Sequence, residues 1–180
     1  YISEGAAVAY SDPGVNTMVL ADGGNTVTIN SSQIITNGTL IGGNGADLVT
    51  MTGVGAIGTV NLGAGNDSIT LAGNNILNIS NTETVTSSIG SDFLTFTGGG
   101  TTTILASNGF DTFNLSTAAG ANYSIRYAAT SQIGDTVNHF VSSADEFVFS
   151  RAAFLGNGND SNGNLEGNLL DVADGQTSGS

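Results

Sequence analysis

Apolar residues return at every second position in short bursts along this chain, and each burst stands at a fixed offset from a small polar mark. With Asp47 as the reference, equivalent marks fall at Asn25, Asp67, Asp92 and Asp111. Two and four residues after them stand Val27 and Ile29, Val49 and Met51, Ile69 and Leu71, Leu94 and Phe96, and Phe113 and Leu115. Thr28, Thr50, Thr70, Thr95 and Asn114 lie between them. Such alternation puts one set of side chains inside and the other outside a strand. Seven residues before the marks come Met18, Leu40, Val60, Val85 and Ile104, so a second inward-facing strand precedes each turn. Period two nested in a longer period of 19 to 25 residues describes short strands stacked in parallel. The predicted fold is all-β: a right-handed parallel β-solenoid, a β-roll or β-helix, of about five or more short coils.

The marks close glycine turns. Gly42, Gly43 and Gly45 precede Asp47, Gly63 and Gly65 precede Asp67, Gly90 precedes Asp92 and Gly109 precedes Asp111. Glycines let the backbone turn tightly with carbonyls pointing inward, and an aspartate adds charge to a concavity suited to a hard cation. The far-side turns, Asn30-Ser31-Ser32, Gly53 to Gly58, Gly73-Asn74-Asn75 and Gly98-Gly99-Gly100, carry no aspartate, so cation sites are expected along one side only. Stacked about 5 Å apart, carboxylates in one register repel by about 3 kcal/mol at an effective dielectric of about 20. A divalent ion between successive turns reverses that sign. Oxygen-only donors with glycine flexibility suit calcium better than magnesium. The alternative is that the aspartates cap turns by accepting bonds from local amides, a reading that weighs most at Asp92 and Asp111.

The segment Gly42 to Val49, GGNGADLV, matches the Gly-Gly-x-Gly-x-Asp-x-U-x nonapeptide in full. It resembles the RTX, or haemolysin-type, calcium-binding repeats of secreted bacterial proteins. That resemblance covers roughly Gly23 to Phe154 and is densest from Gly42 to Ile69; Ser87-Ser88 and Ala106-Ser107 replace the glycines that the family pattern places before Asp92 and Asp111. It implies bound Ca2+ at the glycines and aspartates named above, and a secreted, extracellular or cell-surface location. The type I export that the family uses is not supported by the polar ending Asp174 to Ser180.

The pattern divides the chain into an opening segment over 1–14, with Val8 to Tyr10 as an edge strand, and a solenoid over 15–116. Closing strands follow over 117–155, then an Asn-, Gly- and Asp-rich loop or tail over 156–180. Within the longest interval, Asp67 to Asp92, Ile76 to Ser80 and Glu83 to Thr86 read as two short strands with a bend at Asn81-Thr82. Closing strands are expected at Tyr123 to Tyr127, Asp135 to Val141 and Glu146 to Ser150, then a helical turn at Arg151 to Leu155.

Charge narrows the partners. Fifteen carboxylates face two arginines and no lysine, a net charge of −13 that opposes nucleic acid and anionic membrane and favours divalent cations. There is no cysteine, hence no disulfide or thiolate chemistry. No apolar run is long enough to span a bilayer, and the start at Tyr1 reads as a processed chain or a piece of a longer one.

Other residues carry less. His139, the sole histidine, has no Ser or Cys partner at a readable spacing, so no enzyme is predicted. Asp160 to Glu166 resembles an EF-hand loop with its glycine misplaced, and the sequons at Asn30, Asn37 and Asn78 are expected by chance. Thr50, Thr70 and Thr95 suggest a flat ice-binding face, against which stand the irregular coil lengths and Ala72 and Ser116 in the outer row. The expected function is a calcium-binding extracellular structural protein, a surface-layer or filament subunit or adhesive module that self-associates head to tail or laterally. The alternatives are the RTX tail of a secreted enzyme whose catalytic domain lies elsewhere, and an ice-binding or cell-surface glycan-binding adhesin module.

Overall fold

Short β-branched runs between glycine and asparagine turns fold as the alternation predicts. The structure, a computed structural model, describes residues 7–10, 17–29, 38–52 and 58–154. Strands β1 (Ala7–Tyr10), β3 (Thr26–Ile29), β5 (Leu48–Met51), β7 (Ser68–Thr70), β9 (Thr84–Thr86), β11 (Gly100–Leu105), β13 (Ala121–Tyr127) and β15 (Glu146–Phe149) form one sheet in that order. Strands β2 (Thr17–Val19), β4 (Thr39–Ile41), β6 (Thr59–Asn61), β8 (Ile76–Ser80), β10 (Phe93–Phe96), β12 (Thr112–Asn114) and β14 (Thr136–Asn138) form the other. All pairings are parallel, and the chain changes sheet at every turn, giving a β-solenoid of about six turns.

The two sheets meet along two edges. At the first edge the chain passes from the seven-stranded to the eight-stranded sheet; at the second it returns. Between the sheets lies a single narrow core. Val27, Val49, Ile69, Val85, Ile104 and Ile125 stack in register and are fully buried. Leu40, Val60, Leu77, Ile79, Leu94 and Phe113 face them. Each such side chain contributes about 1.5–3 kcal/mol on burial, and a second inward row, Ile29, Met51 and Leu71 in the eight-stranded sheet, adds to the cohesion between coils. Only one face of each sheet is buried, which is why Thr occupies the outward positions of these parallel strands.

The irregular coil is accommodated at β8. Val60 pairs with Ile79 while Leu94 pairs with Leu77, so the inward ladder steps by one inward position as it crosses this strand. The two strands expected at Ile76 to Ser80 and Glu83 to Thr86 are β8 and β9, in opposite sheets. Asn81 makes the bend between them with φ of 48°.

One expectation about register is corrected. The interval from Asp67 to Asp92 holds a coil and a half, not one coil, because both β8 and β9 lie within it. Val27, Val49 and Ile69 therefore belong to the eight-stranded sheet, whereas Leu94 and Phe113 belong to the seven-stranded one. Thr95 likewise leaves the Thr50 and Thr70 row and lies between Asn78 and Asn114; the row continues through Thr86.

Beyond Ser116 the same two sheets continue through β13, β14 and β15, so the closing strands are further coils of the solenoid. Aromatic rings fill the core at that end. Phe140 stacks on Phe147 with centroids 4.6 Å apart, Tyr127 on Phe149 at 5.5 Å, and Phe154 of α1 (Arg151–Phe154) meets Phe149 edge-on at 4.9 Å. No helix among the described residues is long and apolar enough to cross a membrane. The turn at Asn30-Ser31-Ser32, most of Gly53 to Gly58, the sequons at Asn30 and Asn37, and the tail over 156–180 with its Asp160 to Glu166 loop lie outside the described residues.

Candidate functional site

Turns on both edges end in the same three-residue signature, glycine, any residue, then Asp or Asn. On the first edge these are Gly23-Gly24-Asn25, Gly45-Ala46-Asp47 and Gly65-Asn66-Asp67; on the second, Gly73-Asn74-Asn75, Gly90-Ser91-Asp92 and Gly109-Phe110-Asp111. The leading glycine brings one turn onto the next. A Cβ at Gly65 would overlap the Gly45 carbonyl oxygen, and one at Gly109 the Gly90 carbonyl oxygen. Gly42 and Gly63 are similarly confined: a Cβ at Gly42 would strike the Leu62 carbonyl and lie 2.7 Å from Asp47 Oδ2, and one at Gly63 would strike the Gly43 carbonyl. A Cβ at Gly43 would lie 2.7 Å from the Ala21 carbonyl oxygen. Backbone oxygens and carboxylates therefore crowd the spaces that only glycine leaves open.

The third residue of each signature points inward, and these side chains form two buried columns. On the first edge Asp47 Oδ1 accepts the backbone N–H of Asn25 at 2.9 Å and its side-chain amide at 2.8 Å. Asp67 Oδ1 accepts the N–H of Asp47 at 2.8 Å, and Glu83 Oε2 accepts that of Asp67 at 2.7 Å. On the second edge Asp92 Oδ1 accepts the backbone N–H of Asn75 at 2.8 Å and its side-chain amide at 2.9 Å. Asp111 Oδ1 accepts the N–H of Asp92 at 2.8 Å, and Asp135 Oδ1 that of Asp111 at 2.9 Å. Through this one oxygen each carboxylate thus caps an amide of the preceding coil.

The second carboxylate oxygen differs from site to site. In Asp47 and Asp67 Oδ2 is buried with no hydrogen-bond partner, as is Asn25 Oδ1. The Oδ2 atoms of Asp111 and Asp135 are also buried without a bond of normal geometry, but the Ser87 hydroxyl bears on Asp111 and the Tyr127 hydroxyl on Asp135. Asp92 Oδ2 instead accepts the Ser88 N–H at 3.1 Å and lies 3.3 Å from the Ser88 hydroxyl. Asp145, on the first edge before β15, is also satisfied at both oxygens, by the N–H groups of Tyr123 at 2.9 Å and Val141 at 2.8 Å. A buried acceptor without a donor is costly, and a buried anion without a counter-charge more so.

Titration reflects this. Burial pushes the Asp67 carboxyl up to about 6; the bond from the Asp47 amide opposes the rise and the Glu83 and Asp47 charges add to it. Burial likewise pushes Asp135 up to about 6, with Asp111 and Asp92 as the neighbouring charges, and raises Asp111.

The expectation of sites along one side only is therefore corrected. Asp47 and Asp67 share the first edge with Asn25 and Glu83, while Asp92 and Asp111 share the second with Asn75 and Asp135. Asn75, Glu83 and Asp135 are column members that the turn pattern did not single out as ligands. Gly73-x-Asn75-x-Leu77-x-Ile79 repeats Gly23-x-Asn25-x-Val27-x-Ile29, which is the signal for the first of them. Among the described residues no three His, Cys, Asp or Glu side chains gather closely enough to hold one ion. A cation would take one or two carboxylate oxygens and complete its shell from turn carbonyls and water, a hard-oxygen donor set. His139 lies exposed just after β14 with φ of 63°.

No family model, curated protein or solved structure matches the chain.

Proposed function

We propose that this chain is a calcium-binding β-solenoid of the extracellular structural kind, in which ions along two edges complete the fold and allow copies to associate. The observation that carries the proposal is the pair of buried, partnerless carboxylate oxygens on Asp47 and Asp67, with those of Asp111 and Asp135 facing only the Ser87 and Tyr127 hydroxyls. Capping accounts for one oxygen of each and leaves the other unexplained. Calcium bound there would neutralise the column, and the resemblance of GGNGADLV to RTX repeats supports the same ion. A net charge of −13 is consistent with a chain whose copies repel until cations are bound.

The test is calorimetric titration with calcium and with magnesium, alongside urea unfolding in calcium and in chelator. A ligand held only by the folded chain stabilises it by about 2.7 kcal/mol per site at a hundredfold excess over Kd. Calcium should raise the unfolding midpoint and equal magnesium should not. Equal stability in chelator and in calcium would refute the metal reading. Calcium-dependent folding of a strictly monomeric chain would instead favour the tail of a secreted enzyme.

A further inference from the structure

We infer that the second edge, from the turn before β8 to the turn before β14, is a surface on which a second copy of this chain docks, side by side. This deepens the self-association proposed above and rests on it. Isolated exposed apolar side chains are ordinary on a protein surface. Here five gather on one edge within four consecutive coils. Ile89 and Phe110 stand on the turns with 80 % and 76 % of their surface exposed, and Ile133 is exposed on the next turn. Ile76 and Phe93 are exposed at the first positions of β8 and β10, where they are direct cross-strand partners. The Phe110 ring leans across the following coil, its Cε1 lying 3.1 Å from where a Cβ on Gly134 would stand, beside Ile133. The five form a ridge.

Size and charge point to a copy of the same chain. An aromatic side chain offers about 150–250 Å², so the ridge exposes on the order of 600 Å² of apolar surface. A standard interface takes about 800 Å² from each partner, which the ridge and its Ser and Asn rim can supply. Over 72–76, 88–93, 107–112 and 131–136 the ionisable side chains are Asp92, Asp111 and Asp135, all turned into the column. A charged partner would find no ion to pair with there. A second copy presents the same uncharged ridge, and a two-fold contact lets each patch bury its equivalent. Elsewhere the other twelve of the fifteen carboxylates oppose such approach.

Sedimentation equilibrium of the full chain in calcium should give at least twice the 17.9 kDa chain mass. The double substitution Ile89→Ser with Phe110→Ser should return it to the single-chain mass with unchanged circular dichroism and melting. Because the chain has no cysteine, Ser91→Cys should oxidise to a covalent dimer, whereas Thr50→Cys on the other sheet should not. A wild-type chain of single mass would overturn both this surface and self-association. Association that survives the double substitution would overturn the surface alone. Single mass together with flotation on phosphatidylcholine vesicles, lost in Phe110→Ser, would assign the ridge to lipid and overturn the dimer. Calcium titration of the same samples reads the metal proposal separately.

Discussion

Asp67→Asn separates a capping carboxylate from a metal-binding one, because the two roles predict effects of opposite sign. Asn keeps an oxygen where Oδ1 accepts the Asp47 N–H, and replaces the partnerless Oδ2 with an amide. In chelator the substitution removes a buried charge stacked between Asp47 and Glu83. At a coil spacing of about 4.8 Å and an effective dielectric of about 20, each neighbouring charge costs about 3.5 kcal/mol as an upper bound. Partial protonation of Asp67, whose carboxyl is pushed up to about 6, already relieves part of this. A gain of about 2 kcal/mol is expected from urea unfolding of the metal-free variant near neutral pH. In saturating calcium the same variant lacks a ligand oxygen and should be less stable than wild type, with calcium affinity lowered at least tenfold. Stabilisation in both conditions, with affinity unchanged, would show that Asp67 only caps and that the column holds no calcium at this coil.

Three further outcomes follow from the same geometry. Asp92→Asn sets an amide donor against the Ser88 N–H and should cost about 1–3 kcal/mol in chelator, whereas Asp111→Asn, facing the Ser87 hydroxyl, which can turn to accept, should not; urea midpoints of the pair decide this. Asp145→Ala strips the acceptor from the Tyr123 and Val141 N–H groups, so it should destabilise by at least about 2 kcal/mol while leaving calcium titration unchanged. Asp67 and Asp135 hold their protons more tightly folded than unfolded, about 6 against 3.8, so their contribution is full below about pH 4 and lost as pH rises through about 6. The unfolding midpoint in chelator should therefore fall across that window, and a rise would refute the assignment of those shifts.

The inward positions were legible because alternation is a local rule. Val27, Val49, Ile69, Leu94 and Phe113 are all fully buried, as their offset from the marks implies. What escaped was which sheet each belongs to. Both edges use one signature and both sheets one alternation, so a spacing of 25 residues looks like a long coil when it is a coil and a half. Only the pairing of Ile79 with Val60 and of Leu77 with Leu94 reveals the step. Asp135 was legible as the first residue of a closing strand, not as a column member, because its glycine is one residue nearer than in the other turns. The partnerless oxygens were beyond sequence altogether, since whether Asp92 is satisfied depends on where Ser88 lies across the turn.

The direction of the column bonds has a consequence in time. Every carboxylate from Asp47 to Glu83, and from Asp92 to Asp135, caps an amide belonging to the coil made before it. During synthesis from the amino terminus, each finished coil presents an N–H that water holds until the carboxylate of the next coil replaces it. The growing tip is always a donor awaiting an acceptor, and each arrival seals the coil behind it while opening the next. Shortening the chain from its carboxy-terminal side removes a carboxylate and returns a neutral amide to water at the new tip, whereas shortening it from the amino-terminal side keeps the carboxylate and exposes it to water and ions. The two truncation series should therefore differ in their response to cations, with the amino-terminal one gaining more from added calcium at its tip.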